Sequence, residues 1–357
     1  MLDNPENFES YLLDELIKNK NFFKKSEMSD GDRQLLNGII RESKPKKILE
    51  IGVSAGCSSA IILNAIKDIK DAKLYSIDYR DTYFQDQSKK IGYIVEEEFP
   101  NLINNNWKLY TGATSARFME DIGGDIDLCF IDTAHANPGE LLDFLIVLPY
   151  LKKNSIVIIH DILYHLCEKS YTCLSLFLTL NGKKIIVNNG LKDSIDARLQ
   201  NKWLRDFPGN MGAVILDDNI MDNLLDHFLS ITETWMYIPT DKDIEDIKII
   251  FDKFYGKEYS DIFVSLVSLY KIEEERRIEE EINNYRLFIN KIAWWIPIKK
   301  WRNNFRDKFR PDQTRPDQTR LICKNYIYHI LIIIQNIKNY KLCNYELLHS
   351  FFCSKYL

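Results

Sequence analysis

The run Lys47-Ile48-Leu49-Glu50-Ile51-Gly52-Val53-Ser54-Ala55-Gly56-Cys57-Ser58 constrains the fold more than any other part of the chain. An apolar strand meets an acidic residue, then two glycines, then a pattern that predicts a helix from Cys57 to Ile69. Such a junction belongs to an open α/β sheet, whose ligands bind beyond the carboxyl ends of the strands. Gly52 lets the backbone turn sharply and approach a ligand, and Gly56 is expected to let the helix start close against the strand. Glu50 stands at the strand's end, placed to accept a hydrogen bond from a cationic amine. The spacing is G-x-x-x-G and lacks the third glycine of a dinucleotide fingerprint. A nucleoside without phosphates suits this loop better than a pyrophosphate.

Lys47 to Ile51, Lys73 to Asp78, Trp107 to Thr111, Ile126 to Asp132 and Ser155 to His160 read as strands separated by helix-length stretches. That alternation implies a parallel sheet covered on both faces. Lys184 to Asn188 and Gly212 to Leu216 suit a closing antiparallel pair. The fold class expected is therefore α/β, a doubly wound, seven-stranded, mostly parallel sheet with a helical C-terminal extension. Asp78 ends the second strand about 20 residues past the glycines, where a ribose-binding carboxylate is expected.

Together, E-x-G-x-x-x-G-x-S followed by Tyr75-Ser76-Ile77-Asp78 resembles the class I S-adenosylmethionine-dependent methyltransferases. The resemblance implies their Rossmann-like fold and S-adenosylmethionine as cofactor. It assigns Glu50, Gly52, Gly56 and Ser58 to the methionine part and Asp78 to the ribose hydroxyls. Gly112, Ala113 and Thr114, with Ser115, would lie near the adenine.

Two further segments carry chemistry: Cys129-Phe130-Ile131-Asp132-Thr133-Ala134-His135 and Ile158-Ile159-His160-Asp161. In the strand order that the resemblance implies, their strands are neighbours about 4.8 Å apart. Asp132 and Asp161 then repel unless compensated, and a hard divalent cation such as Mg2+ is the expected partner, held by Asp132, His160 and Asp161. His135, at the rim of the same pocket and with a pKa near neutrality, is the expected base toward a substrate hydroxyl, with Asp132 and Asp161 beside it. The grouped pattern resembles metal-dependent O-methyltransferases of the cephalosporin-hydroxylase-like and macrolide-sugar type. In that pattern a glutamate normally precedes the second aspartate, and here His160 takes its place. The amide ligand of the catechol type is replaced by Ile162. His165 and His227 are expected in solvent-facing or core roles, and Trp203, Arg205 and the Pro208-Gly209-Asn210 turn are candidates for the border of the acceptor pocket.

A net charge of −5 argues against general nucleic-acid binding. Seven cysteines without a C-x-x-C pair fit reduced thiols and a cytoplasmic protein, with Cys57 and Cys129 as small core hydrophobes. The organisation expected is a helical lead-in over 1–30, with its helix from Glu6 to Lys18, then the catalytic domain over 31–220 and a helical extension over 221–292. An aromatic and basic segment follows over 293–310, where Trp294, Trp295 and Trp301 among Lys and Arg suit peripheral contact with the inner membrane face. The tandem Pro311 to Arg315 and Pro316 to Arg320 reads as a linker, and 321–357 as a tail of atypical composition with one acid, Glu346. The function expected is methyl transfer to a hydroxyl of a polyhydroxylated acceptor, a sugar or glycan, by a chain able to form a homo-oligomer. The competing readings are a nicotinamide-dependent oxidoreductase and a non-catalytic membrane-surface module of the same fold.

Overall fold

The computed structural model describes residues 28–218, 220–294 and 299–308. By packing the chain divides into two units, Met1–Val267 and Ser268–Leu357. The helix expected from Glu6 to Lys18, the proline-punctuated repeat and the tail all lie outside the described residues.

In the first unit the first described element is α1 (Asp30–Ser43), which the sequence reading did not anticipate. Its start is a capping box: Ser29 Oγ accepts from the Asp32 amide at 3.1 Å, and the Asp32 carboxylate accepts from the Ser29 amide at 3.2 Å. There follow β1 (Lys47–Ile51), α2 (Cys57–Ile66), β2 (Lys73–Asp78), α3 (Tyr93–Glu98), β3 (Trp107–Thr111), α4 (Met119–Ile122) and β4 (Ile126–Ile131). Then come α5 (Gly139–Val147), β5 (Leu151–Ile159), α6 (Thr172–Thr179), β6 (Gly182–Ile186), α7 (Gly190–Leu199), β7 (Gly212–Leu216), α8 (Leu224–Ser230) and α9 (Asp241–Phe254).

The seven strands form one sheet in the order β3-β2-β1-β4-β5-β7-β6. Strands β1 to β5 run parallel, and β7 is antiparallel to both β5 and β6. The doubly wound sheet and its closing antiparallel pair thus stand as expected. Several boundaries moved. Helix α2 ends at Ile66, where Ile69 N–H bonds back to the Ile66 carbonyl in a tight turn. Strand β5 starts early, through the exposed Lys152, Lys153 and Asn154, with Lys152 Nζ 3.1 Å from Asp127. Strand β6 begins at Gly182, where any side chain would run into the Ile215 carbonyl.

Parallel strands are covered on both faces, which is why β1, β4 and most of β5 read as continuous apolar runs. Leu36, Ile39 and Ile40 of α1 and Ala60, Ile61 and Leu63 of α2 pack on Ile48, Leu74, Leu128, Phe130 and Ile158. Each such large side chain, fully removed from water, contributes about 1.5–3 kcal/mol before entropy is subtracted. The strand order reverses between β1 and β4, so the crevice beyond their carboxyl ends is the place where an open α/β sheet takes a ligand.

Helix α10 (Lys257–Trp294) runs into the second unit, whose other described element is α11 (Lys299–Lys308). Tyr285, Ile289 and Ala293 form a buried edge at four-residue spacing toward the end of this helix. Among the described residues no helix is long and apolar enough to cross a membrane.

Candidate functional site

The glycine loop follows β1 directly. Gly52 has φ +93°, and a Cβ there would lie 1.7 Å from the Asp132 carbonyl oxygen, so the loop is pressed against the end of β4. Gly56 caps α2 in the left-handed region, and its close neighbour is the backbone of Gly92, 2.9 Å from where a Cβ would sit. The expected role of Gly56, helix against strand, is therefore replaced by loop against loop. The segment before α3 lies on the glycine loop, with Gly92 N–H donating to the Ser54 carbonyl at 2.9 Å and Ile94 N–H to the Ala55 carbonyl at 3.0 Å.

Asp78 fastens this loop. One carboxylate oxygen accepts from the Val53 and Ser54 amides at 3.0 and 2.9 Å, and the other from the Arg80 amide at 2.9 Å. A carboxylate has about four acceptor directions, so capacity for a ligand hydroxyl is left. Beyond β3, Gly112 turns with φ +84° beside Asp81, and Ala113 is buried. Thr114 Oγ1 is buried without a hydrogen-bond partner, while Ser115 Oγ donates to Asp143 at 2.9 Å.

Glu50 lies beneath the loop, wholly out of water. Ser58, Ser59 and Ser76 hydroxyls donate to its carboxylate, each at 2.6 Å, and Trp107 Nε1 donates to Ser76 Oγ at 2.9 Å. Burial pushes its pKa up to about 7 against the pull of those three hydroxyls. Ser58 thus serves Glu50, and both its neighbours in the network, Ser59 and Ser76, escaped the sequence reading. The register that sets Glu50 opposite Ser76 is the link that spacing along one strand does not show.

The second half of the site stands at the ends of β4 and β5. His135 Nε2 lies 3.0 Å from Asp161 and 3.5 Å from Asp132, and its Nδ1 is 3.5 Å from Glu140. The backbone enforces this approach: His135 and Asp161 both take φ near +50°, and the His135 amide donates to Glu140 at 2.6 Å. His160 is buried deeper. Its Nδ1 is 3.5 Å from Asp132 and 3.3 Å from Asp161, and its Nε2 is 3.6 Å from Asp32 of α1. Burial alone lowers the pKa of each imidazole, but the surrounding carboxylates outweigh it and hold both well above 6.5. Asp161, raised by burial, is carried well below its ordinary value by His160 and His135. The expectation of a near-neutral His135 is corrected accordingly: Asp161 at 3.0 Å keeps it protonated.

Asn210, from the turn before β7, donates its amide to Asp161 and accepts from the Leu163 amide at 3.0 Å. The Pro208-Gly209-Asn210 turn therefore reaches the acid cluster through one residue, whereas Trp203 stays half-exposed. His227 is a core residue of α8 against the Phe144 ring, its pKa lowered to about 4 by burial, and His165 stacks on Tyr171. Cys57 and Cys129 are buried, as expected of small hydrophobes.

Among the described residues, ligand atoms of Asp132, His135 and Asp161 lie within 4.8 Å of one another, as do those of His135, Glu140 and Cys173. The first set pairs two carboxylates with an imidazole, and His160 points into the same two carboxylates. Magnesium takes oxygen ligands and keeps several waters, so this donor set fits it poorly. The positive charge of the two histidines offsets the negative charge of Asp132 and Asp161, and His160 Nδ1 lies beside both of those carboxylates.

Residues 49–162 match a family described as a methyltransferase domain. This segment is similar to methyltransferase domains. Solved structures similar to the chain include the O-methyltransferase TomG of Streptomyces achromogenes, involved in tomaymycin synthesis and solved with S-adenosylmethionine. It is 14% identical over 61% of this chain and 100% of that one, with a TM-score of 0.40. An O-methyltransferase of Bacillus cereus in complex with S-adenosylhomocysteine is 14% identical over 59% of this chain and 99% of that one, with a TM-score of 0.41. The S-adenosylhomocysteine-bound methyltransferase PaMTH1 of Podospora anserina is 18% identical over 60% and 95%, with a TM-score of 0.37. No curated protein matches the chain. The match ends at Ile162, while Asp32 and Asn210 reach the acid cluster from either side of the matched segment.

Proposed function

We propose that the chain transfers a methyl group from S-adenosylmethionine to a hydroxyl of a polyhydroxylated small-molecule or glycan acceptor. The observation that carries this reading is the contact between the two halves of the site: the Gly52 loop is packed on the backbone of Asp132. A donor on that loop and an acceptor hydroxyl at Asp132 and His135 are then neighbours. The residues fit the donor, since Asp78 has acceptor capacity for ribose hydroxyls and Thr114 Oγ1 is buried and unpartnered where the adenine is expected.

The donor supplies a methyl on a positively charged sulfur, which is reactive without further activation. The chain's own residues position the acceptor and receive its proton. Asp132 and His135, each 24% exposed, are the open edge of the cluster, and Asp161 and His160 lie buried behind them. As the acceptor oxygen bonds to the methyl carbon, the carbon–sulfur bond breaks with its electron pair left on sulfur, and the hydroxyl proton passes to the cluster. Because His135 is held protonated, the cluster takes that proton only after losing its own, and holding the acceptor in line accounts for most of the rate gain.

The test is isothermal calorimetry with S-adenosylhomocysteine and with NAD, followed by transfer of labelled methyl to a panel of sugars and polyols. Binding of the first ligand and label on a hydroxyl oxygen support the reading. Binding of NAD alone would transfer it to the nicotinamide class. Trp294, 70% exposed at the end of α10, fits a peripheral contact with anionic lipid headgroups, although Trp295 lies outside the described residues. Sedimentation with anionic and neutral vesicles checks that contact.

A further inference from the structure

The segment from Glu233 to Asp246 lies well beyond the matched segment, yet it is tied to three of the loops that carry the site. After β4, Asn137 Nδ2 donates to the Glu233 carbonyl at 2.5 Å, and the Met236 amide donates to the Asn137 carbonyl at 2.8 Å. After β2, the Tyr79 hydroxyl, one residue past Asp78, donates to Asp243 at 3.2 Å. After β3, Arg117 pairs with Asp246 at 2.7 Å and lies 3.7 Å from Asp243. Thr240 caps α9 at this point, its hydroxyl bonded to Asp243 at 2.5 Å.

In the middle of this strap stands Tyr237. Its hydroxyl end is enclosed: a Cβ on Gly139 would come within 3.3 Å of it. The charges of Asp143, Glu140 and Asp243 and the hydroxyl of Tyr79 all act on it, and with burial as the largest cause they push its pKa up. Asp143 in turn holds Ser115 and Thr133, the residues that follow β3 and β4. The rest of Tyr237 keeps 40% of its surface in water, and Tyr79, 54% exposed, shares Asp243 with it. An enclosed hydroxyl beside Gly139 and a ring that keeps part of its surface in water, on a strap bonded to the post-β2, post-β3 and post-β4 loops, make an aromatic wall.

We propose that Tyr237 is a cofactor-site residue, its ring closing the adenine end of the crevice from a strap outside the matched segment. The inference rests on the function proposed above. Aromatic stacking on a nucleobase is worth enough that removing the ring weakens binding about 5- to 150-fold.

The experiment is calorimetry on the full chain with S-adenosylhomocysteine and with 5′-methylthioadenosine, which lacks the amino-acid end, for wild type, Tyr237→Ala and Tyr237→Phe. Tyr237→Ala should lose both ligands by the same factor within that range, and Tyr237→Phe, keeping the ring, should stay within about threefold of wild type. Thermal denaturation of each variant identifies any that does not fold, in which case Tyr237→Phe against Tyr237→Leu makes the same comparison at more nearly constant volume. Wild-type binding with Tyr237→Ala unchanged within twofold would overturn the inference alone. Loss of S-adenosylhomocysteine without loss of methylthioadenosine would overturn the placement at the adenine end. A wild type that binds neither ligand would overturn the functional reading and the inference with it.

Discussion

Replacing Glu50 by glutamine should make the protein more stable, and increasingly so as the pH rises. Glu50 is fully buried, and its folded-state pKa of about 7 lies above its ordinary 4.5. Between those values the folded chain holds a proton that the unfolded chain has released, so stability falls with rising pH. The contribution is whole below pH 4.5 and gone above pH 7, and at about 1.4 kcal/mol per tenfold change in protonation it amounts to about 3 kcal/mol. Over the practical range of pH 5 to 8, about 2–3 kcal/mol of it is crossed. Glutamine has nearly the same shape, carries no ionisable group and can be accommodated because serine hydroxyls rotate to accept as well as donate. Asp143, whose pKa burial also raises to about 7, contributes a similar slope to both proteins and cancels in the difference. Urea denaturation of wild type and Glu50→Gln at unit pH steps, followed by circular dichroism and tryptophan fluorescence, reads the effect. A difference that stays flat from pH 5 to 8, or that moves in favour of glutamate, would refute the burial argument.

Gly52→Ala should cost roughly 2–5 kcal/mol, combining left-handed strain with a Cβ forced onto the Asp132 carbonyl, and a urea midpoint within about 0.5 kcal/mol of wild type would contradict the packing described. Asn210→Ala should destabilise by roughly 2–3 kcal/mol, because the buried Asp161 and the Leu163 amide both lose a partner; chemical denaturation measures it. His135→Ala and Asp161→Ala should lower turnover sharply while S-adenosylhomocysteine affinity changes little, and equal loss of cofactor binding would mean their role was misassigned. Wild-type turnover should climb as the pH rises well past 6.5, since Asp161 keeps His135 protonated. The same raised imidazole pKa values stabilise the fold below pH 6.5 and lose that contribution as the pH passes through them. A turnover profile with its midpoint at or below 6.5 would show that His135 is not held this way.

The strands were legible because a parallel strand buried on both faces leaves a continuous apolar run, and Asp78, Asp132 and Asp161 each end such a run. The glycine loop was legible because positive φ leaves few residue types to choose from. The partners of those residues were not. Glu50 meets Ser76 only through the β1–β2 register, and Asn210 meets Asp161 across 49 residues of chain. No periodicity along the sequence encodes either contact. Gly56 shows the same limit from another side: the need for a glycine was readable, but the loop that comes to lie on it, at Gly92, was not.

The histidine at 160 shows why a motif has to be weighed with its surroundings. A glutamate in that place would put another carboxylate beside Asp132 and Asp161, an arrangement that demands a dication. An imidazole there reverses the sign, and its second nitrogen then needs an acid of its own. Asp32 supplies it from the first turn of α1, where the helix dipole already favours a negative charge. The Asp32 carboxylate that closes the capping box of α1 thus also faces His160. The same contact brings the start of α1 beside the carboxyl end of β5.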